Sequence, residues 1–358
     1  MVQHELMERD DEFVRRGLER WLGDRRPELE EVAVAPLARA PVGFSSETLF
    51  ATISFFRDGH ACEEELVARL PPAGDGIFPT YDLVKQARLQ QALVATEIPV
   101  APPLGVETDA SWIGCSFMVM PRVSGRVLSN NPSYLEGGWL HHRTPLEQGR
   151  LHGDFLGVLA GIHKLDWRSL GLEFLVPEGE PGLVRELQHW GEYLEWASDG
   201  SPPAELAEAF AWCREHQPDP EPDLGLVWGD PGFSNVIFGD GLAPAAILDW
   251  ELATIGPAEM DLAWFIAFHD DAVQRSGSDM PGFPDRAMTI AHYEKQLGRP
   301  VADFRWFEVF AILRGASCLV RMQKLFVARG VASEEEVAQH PGFGATLRAL
   351  MSSSGDLR

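Results

Sequence analysis

Cysteine is scarce in this chain. Cys62, Cys115, Cys213 and Cys318 are the only four in 358 residues, and they stand 53, 98 and 105 positions apart. With no Cys-x-x-Cys, the sequence writes neither a zinc knuckle nor a dithiol redox pair, and scattered thiols suit a reducing cytoplasm. Long apolar runs are missing too: none approaches the ~18 residues of a membrane span. The first residues, Met1 to Asp11, are acidic and lack an apolar stretch, so no secretory leader is expected. Positive charge is also short. Lys and Arg number 30 against 54 Asp and Glu, a net charge of −24. Such a surface repels phosphate backbones and argues against nucleic-acid binding. No G-x-x-x-x-G-K-[ST] or G-x-S-x-G occurs, and neither Gly74-Asp75-Gly76 nor Gly239-Asp240-Gly241 extends to G-x-G-x-x-G. His141 and His142 are adjacent and would point apart, so with His152 they make no metal site.

What is present is a chain long enough for two or three domains at roughly 150 residues each. Its 45% hydrophobic and 23% charged residues are those of a folded protein and not a disordered one. Apolar spacing predicts an amphipathic helix over 8–22, with Val14, Leu18, Trp21 and Leu22 on one face. Strands are expected at 32–34, 49–56, 66–70 and 116–120, a turn at Arg57-Asp58-Gly59 and a helix over 82–95. Beyond Arg122 the pattern is helical. Thr144-Pro145-Leu146-Glu147 is a helix start with a Thr cap, Pro in the first turn and Glu three residues on. Gly149, Gly153, Gly157 and Gly161 recur every fourth residue of that helix, which predicts a close neighbour along the stripe. Further helices are expected at 183–197, 203–216, 258–269, 285–297 and 303–327.

The most informative stretch runs from Leu226 to Glu251. Two short apolar runs, 236–238 and 245–248, flank a Gly-Asp-Gly turn and predict a hairpin. An antiparallel return brings Asp249 back beside Asn235, while Asp230 sits five residues earlier on a loop tightened by Pro231 and Gly232. Two carboxylates and a carboxamide at one hairpin end suit Mg²⁺, with one carboxylate left to act as a base. A lone Asp or Asn on a Gly-Pro loop is commonly only a turn residue; the combination is what carries chemistry.

That D-x-x-x-x-N loop, hairpin and second Asp resembles the catalytic core of kinase-like phosphotransferases. The wording Trp228-Gly229-Asp230 to Asn235, then Leu248-Asp249-Trp250-Glu251 and Asp261-Leu262-Ala263-Trp264, is similar to the aminoglycoside phosphotransferase/choline kinase family. Met118 to Arg126 resembles that family's interlobe hinge and Gly43 to Thr48 its nucleotide-positioning loop. The resemblance covers about residues 32–325. It implies a bilobal α+β protein-kinase-like fold: an N-terminal helical extension over 1–30, an antiparallel-sheet N-lobe over 31–121 and a mainly helical C-lobe over 122–358. It further implies Asp230 as catalytic base, and Asn235 and Asp249 as Mg²⁺ ligands. Ser45, Ser46 and Thr48 would contact the nucleotide, ATP or possibly GTP, and the backbone around Met118 and Met120 would hold the base. Arg69 falls where the family places a cation on the phosphates. Its helix partner, usually Glu, is Gln86, so a neutral hydrogen bond is expected instead of an ion pair. Trp228 stands where the family usually has His and reads as packing.

Asp249 and Asp261 are too close for an activation segment that docks a polypeptide, so a hydroxylated small molecule is the expected acceptor. The acids between Glu195 and Asp223 resemble the family's lining for cationic aminoglycosides, or form a solvated face. Arg314 and Arg321, with Lys324 adjacent, would instead suit an anionic acceptor such as a hydroxyacyl thioester. A nucleotide-binding pseudokinase is the alternative of another class; the joint presence of Asp230, Asn235 and Asp249 speaks against it.

Overall fold

The computed structural model of the chain describes residues 9–40, 45–176, 179–339 and 342–353. Its first helix, α1 (Asp11–Arg25), begins where the Asp10 carboxylate accepts the backbone N–H groups of Glu12 and Phe13, two donors with no partner inside the helix. The expected face of Val14, Leu18, Trp21 and Leu22 is buried. There follow β1 (Glu30–Val34), β2 (Ala38–Arg39), β3 (Glu47–Arg57), β4 (His60–Leu70), α2 (Leu83–Leu93), β5 (Gly105–Glu107) and β6 (Phe117–Pro121). The strands pair antiparallel in the order β1-β3-β4-β6-β5, with β2 also on β3. Asp58 and Gly59, both at positive φ, make the two-residue turn between β3 and β4. Such a turn matches the right-handed twist of the strands that it joins.

Alternation then sorts the side chains. In β3, Leu49, Ala51, Ile53 and Phe55 point into the core under α1, and from β6 Phe117 and Val119 join them. The other face of β6 sends Met118 and Met120 against Leu83 and Ala87 of α2. Because both faces are covered, β6 reads in sequence as an unbroken apolar run and not as an alternating one. The short β5 escapes sequence reading: Gly105-Val106-Glu107 owes its strand to pairing with β6 alone.

The second half is mainly helical. Helix α3 (Pro145–His163) carries the expected capping box between Thr144 and Glu147. After it come α4 (Leu183–Ala197), α5 (Ala204–Glu215), β7 (Leu224–Val227), β8 (Val236–Phe238), β9 (Pro244–Ile247), β10 (Thr254–Pro257), α6 (Glu259–Ser276), α7 (Arg286–Leu297), α8 (Phe304–Ala328), α9 (Glu334–Ala338) and α10 (Gly344–Ser352). By contacts the chain divides into two compact units. One comprises Met1–Gln91, Ala101–Val123 and Met322–Gln339; the other comprises Ala92–Val100, Ser124–Arg321 and His340–Arg358. Among the described residues no helix is long and apolar enough to cross a membrane.

The glycine stripe of α3 is a half-correct expectation. A Cβ on Gly149 would meet the carbonyl oxygen of Gly282 at 2.8 Å, and one on Gly161 would meet Ile98 at 3.2 Å. Gly153 and Gly157 face open space, so nothing approaches the middle of the stripe.

Candidate active site

The catalytic-loop sequence is shaped from both ends. β7 pairs antiparallel with β10, Val227 opposite Thr254, and delivers the chain into Trp228-Gly229-Asp230. Gly229 sits at φ +98, and a Cβ there would lie 2.4 Å from the carbonyl oxygen of Leu252, so this step of the loop admits only glycine. A short 3₁₀ turn, Phe233–Asn235, leads into β8, and β8 and β9 form the predicted hairpin with Val236 opposite Ile247. The Leu248 N–H then donates to the Asn235 carbonyl at 2.8 Å, which sets Asp249 beside the start of the hairpin. Asp249 itself adopts φ +57, a left-handed conformation that costs a non-glycine residue about 1–3 kcal/mol and persists only where neighbours hold it. Trp228 is one such neighbour: its indole N–H donates to the carbonyls of Leu248 at 2.8 Å and Asp249 at 3.1 Å.

Asp261, on the first turn of α6, braces the other side. Wholly buried, its carboxylate accepts the backbone N–H of Trp228 at 2.7 Å and of Gly229 at 2.9 Å, and meets His163 Nε2 at 2.9 Å. The sequence reading of Trp228 as a packed residue matches its burial; its two indole hydrogen bonds are additional.

Both oxygens of Asp230 are spoken for. Oδ1 accepts the Trp264 indole N–H at 2.8 Å, and Oδ2 accepts the Asn235 amide N–H at 3.0 Å. The same amide also donates to the Asp230 carbonyl at 3.0 Å. Burial and, after it, the nearby charge of Asp249 push the Asp230 carboxyl up to about 6, against the pull of Asn235, Trp264 and Arg314. Arg314 is buried behind the loop and donates through Nη2 to the Gly229 carbonyl at 2.9 Å.

These residues fit a magnesium ion. Asn235 spends its amide nitrogen on Asp230, which leaves its carboxamide oxygen as the ligand atom. Asp249 brings a carboxylate whose charge already disfavours ionised Asp230, a repulsion that a divalent cation would relieve. Among the described residues no group of three or more His, Cys, Asp or Glu side chains could hold a metal. Magnesium needs no such cage, since it usually takes one or two carboxylates and completes its shell with waters and substrate phosphates.

The remaining sequence-predicted residues lie in the first unit. Arg69 on β4 stands opposite Thr48 of β3 and donates to the Ser46 hydroxyl at 2.7 Å, so three of the expected phosphate-side residues are together. The expected Arg69–Gln86 hydrogen bond is not made. Gln86 is buried on α2 with its carbonyl oxygen unpartnered, and the guanidinium turns to Ser46 instead. Met118 and Met120 bury their side chains in the α2 cluster, and only their backbone lies along the sheet, paired with Arg69 and Val67. Ser45 is half-buried, whereas Gly43 and Phe44 of the expected loop lie outside the described residues. The acids Glu195, Asp199, Glu208, Glu215, Asp219, Glu221 and Asp223 are exposed to solvent. Arg314 is not a surface cation, contrary to the stripe read from the sequence; Arg321 lies over the Trp196 ring at 4.6 Å.

Two residues of the loop's support escaped sequence reading. Trp264 was visible only as part of Asp261-Leu262-Ala263-Trp264, with nothing to say that its N–H reaches back 34 positions. Arg314 reaches back 85.

Residues 38–280 match the phosphotransferase enzyme family. Among curated proteins the chain is 27% identical to human acyl-CoA dehydrogenase family member 11 over 241 residues, 67% of this chain and 29% of that one. It is 31% identical to the chicken protein of the same name over 204 residues, 57% of this chain and 25% of that one. The chain thus spans less than a third of the length of these relatives. Among solved structures, a protein from Ralstonia eutropha provisionally named an aminoglycoside phosphotransferase is 26% identical, with a TM-score of 0.67 over 96% of both chains. Aminoglycoside phosphotransferase APH(4)-Ia, solved with ADP and hygromycin B, is 15% identical with a TM-score of 0.53, over 95% of this chain and 99% of that one. The mixed α+β, kinase-like fold expected from the sequence is therefore the one found.

Proposed function

The chain belongs to the phosphotransferase enzyme family, and from that premise we propose that it moves the γ-phosphoryl group of ATP or GTP onto a hydroxyl of a small molecule. One observation carries this reading. Asp230 is held at both oxygens, by Trp264 and Asn235, and its carboxyl is raised to about 6. A carboxylate fixed in direction and ionising near neutrality is what accepting a hydroxyl proton requires. Asp230 would orient and deprotonate the acceptor, while Asn235 and Asp249 would hold Mg²⁺. The ion, when bound, supplies positive charge to the phosphates as charge shifts during transfer. Arg69, turned by its bond to Ser46, would grip phosphate oxygens with a planar guanidinium. Ser45, Thr48 and the backbone at Met118 and Met120 would complete the nucleotide contacts. In this assignment residues 31–121, with α1 packed on their core, serve the nucleotide, and 122–358 the metal and the acceptor. Related structures support nucleotide donors: one neighbour was solved with ADP, another with GDP and kanamycin.

Asp230→Asn tests the role, because it removes the base at nearly constant size, its one amide oxygen accepting from only one of Trp264 and Asn235. Turnover should fall about 10²–10⁴-fold with Mg-ATP affinity little changed. Near wild-type turnover would reduce Asp230 to a turn residue.

A second acceptor class has an observation of its own. The curated relatives are named for acyl-CoA dehydrogenases, which favours a hydroxyacyl thioester over an aminoglycoside. Side-by-side phosphorylation of 3-hydroxybutyryl-CoA and kanamycin by the purified protein separates the two.

A further inference from the structure

Arg314 is an expensive residue to bury. It is 1% exposed, forms no ion pair among the described residues, and leaves Nε and Nη1 without a hydrogen-bond partner. The charges of Glu186, Asp261 and Asp230 favour the cation, but burial outweighs them, so its retention needs another reason. No ligand reaches those nitrogens, because indoles enclose the guanidinium: its central carbon lies 5.0 Å from the Trp190 ring and 4.8 Å from the Trp264 ring. The one hydrogen bond that it makes is to the carbonyl of Gly229, the residue before Asp230. Gly315, next in the chain, yields its side-chain space to Phe268, whose ring atom would stand 2.1 Å from a Cβ. Phe268 in turn packs on Trp264, ring centroids 4.6 Å apart.

We infer that Arg314 is a positioning residue for phosphoryl transfer, which fixes Asp230 by holding the Gly229 carbonyl and the face of the Trp264 ring whose N–H holds Asp230. The guanidinium and Phe268 keep the indole from swinging, and the indole edge then aims Oδ2 of Asp230 by restraining Oδ1. Cation–π attraction strengthens where water is excluded, so an arginine buried between indoles serves this purpose better than an exposed one. The inference rests on the phosphotransfer reading and adds to it a residue that touches neither substrate nor metal.

The test pairs Arg314→Met with Trp264→Phe, which keeps the ring and removes the N–H. With Mg-ATP as donor and 3-hydroxybutyryl-CoA and kanamycin as acceptor probes, Arg314→Met should lower kcat about 10²-fold, the usual cost of a misplaced catalytic group. KM for donor and acceptor should stay within about threefold and the melting temperature within about 4 °C. The double variant should be no worse than the worse single, because both substitutions break one chain of contacts. An unchanged kcat, a rise in acceptor KM alone, or multiplicative losses in the double variant would overturn the assignment. If Arg314→Met does not fold, Arg314→Lys and Trp264→Phe carry the same comparison. Indole ¹⁵N spectra keep it separate from the phosphotransfer reading. The Trp264 N–H resonance, identified by its loss in Trp264→Phe, should shift in the Arg314 variant even if neither probe is phosphorylated. An unmoved resonance refutes the clamp.

Discussion

The loop around Asp230 and the strand pair around Arg69 are built to opposite specifications. Around Asp230 the turn is tied from several sides: Asp261 accepts two backbone N–H groups, Asn235 and Trp264 donate to the Asp230 carboxylate, and Trp228 donates to the carbonyl of Asp249. Around Arg69 the guanidinium donates to the Ser46 hydroxyl, and the buried Gln86 of α2 keeps an unpartnered carbonyl oxygen. Under the proposed roles, preorganisation would explain why the turn at Asp230 is braced. A base that must meet a hydroxyl within a fraction of an ångström gains from being fixed beforehand, whereas a cation that grips phosphate can be ordered by the phosphate itself.

The sharpest way to break this contrast is to remove the brace. Asp261→Ala leaves two buried N–H groups and His163 without their acceptor and should cost about 3–5 kcal/mol in chemical denaturation. A loss under 1 kcal/mol would show that the loop is not held from α6. Asp249→Ala should lower Mg-dependent turnover about 10²–10³-fold, the scale of losing one preorganised charge-stabilising group. Unchanged Mg-ATP affinity and turnover would remove it from the metal site. On the adaptable side, Arg69→Ala should weaken ATP binding by about 1.5–3 kcal/mol and leave adenosine binding alone, as measured by calorimetry. Equal losses for both ligands would make Arg69 structural.

The pH dependence sharpens the contrast further. Asp230 must be ionised to accept a proton, so turnover should fall about tenfold per pH unit on an acid limb set by its ionisation, which is at about 6 in the metal-free chain and lower once a cation offsets Asp249. Asp230→Asn should lack that limb. The stability sign is opposite. The folded chain holds this proton more tightly than the unfolded one, whose carboxyl has its ordinary value of 3.8. Its contribution therefore favours the fold at low pH and is lost as pH rises from 3.8 to about 6. The smallest effect is expected at Gln86. Gln86→Met, which replaces an unsatisfied buried amide by an apolar chain of similar length, should change stability by about 1 kcal/mol or less, in either direction.

Legibility in the sequence followed range. The turn between β3 and β4 and the α3 capping box were readable because their determinants lie within a few positions; the first half of β4, His60 to Glu65, is too rich in acids to read as a strand. Also readable were the β8–β9 hairpin and the meeting of Asp230, Asn235 and Asp249, whose turn signals are local. The β7–β10 pair was not, since Leu224–Val227 becomes a strand only when Thr254–Pro257 returns beside it. Helix α6 runs to Ser276, past the polar His269-Asp270-Asp271 where its apolar pattern fades, and stops at Gly277 in a left-handed cap. Arg314 was misread for the same physical reason. Spacing on α8 shows which positions share a face, but not that indoles from α4 and α6 close over that face.

The tryptophans that hold the loop have an optical consequence. Trp228 and Trp250, with ring centroids 6.0 Å apart, are buried beside Asp249; Trp264 touches Asp230, and Trp190 lies against Arg314. Four indoles out of 11 thus surround the turn where transfer would occur, three of them shielded from water and one hydrogen-bonded to the carboxylate itself. Over a third of the indoles therefore report on that turn. Protonation of Asp230, or the arrival of an acceptor against it, should register as a change in unlabelled fluorescence, giving the chain a dye-free reporter beside Asp230.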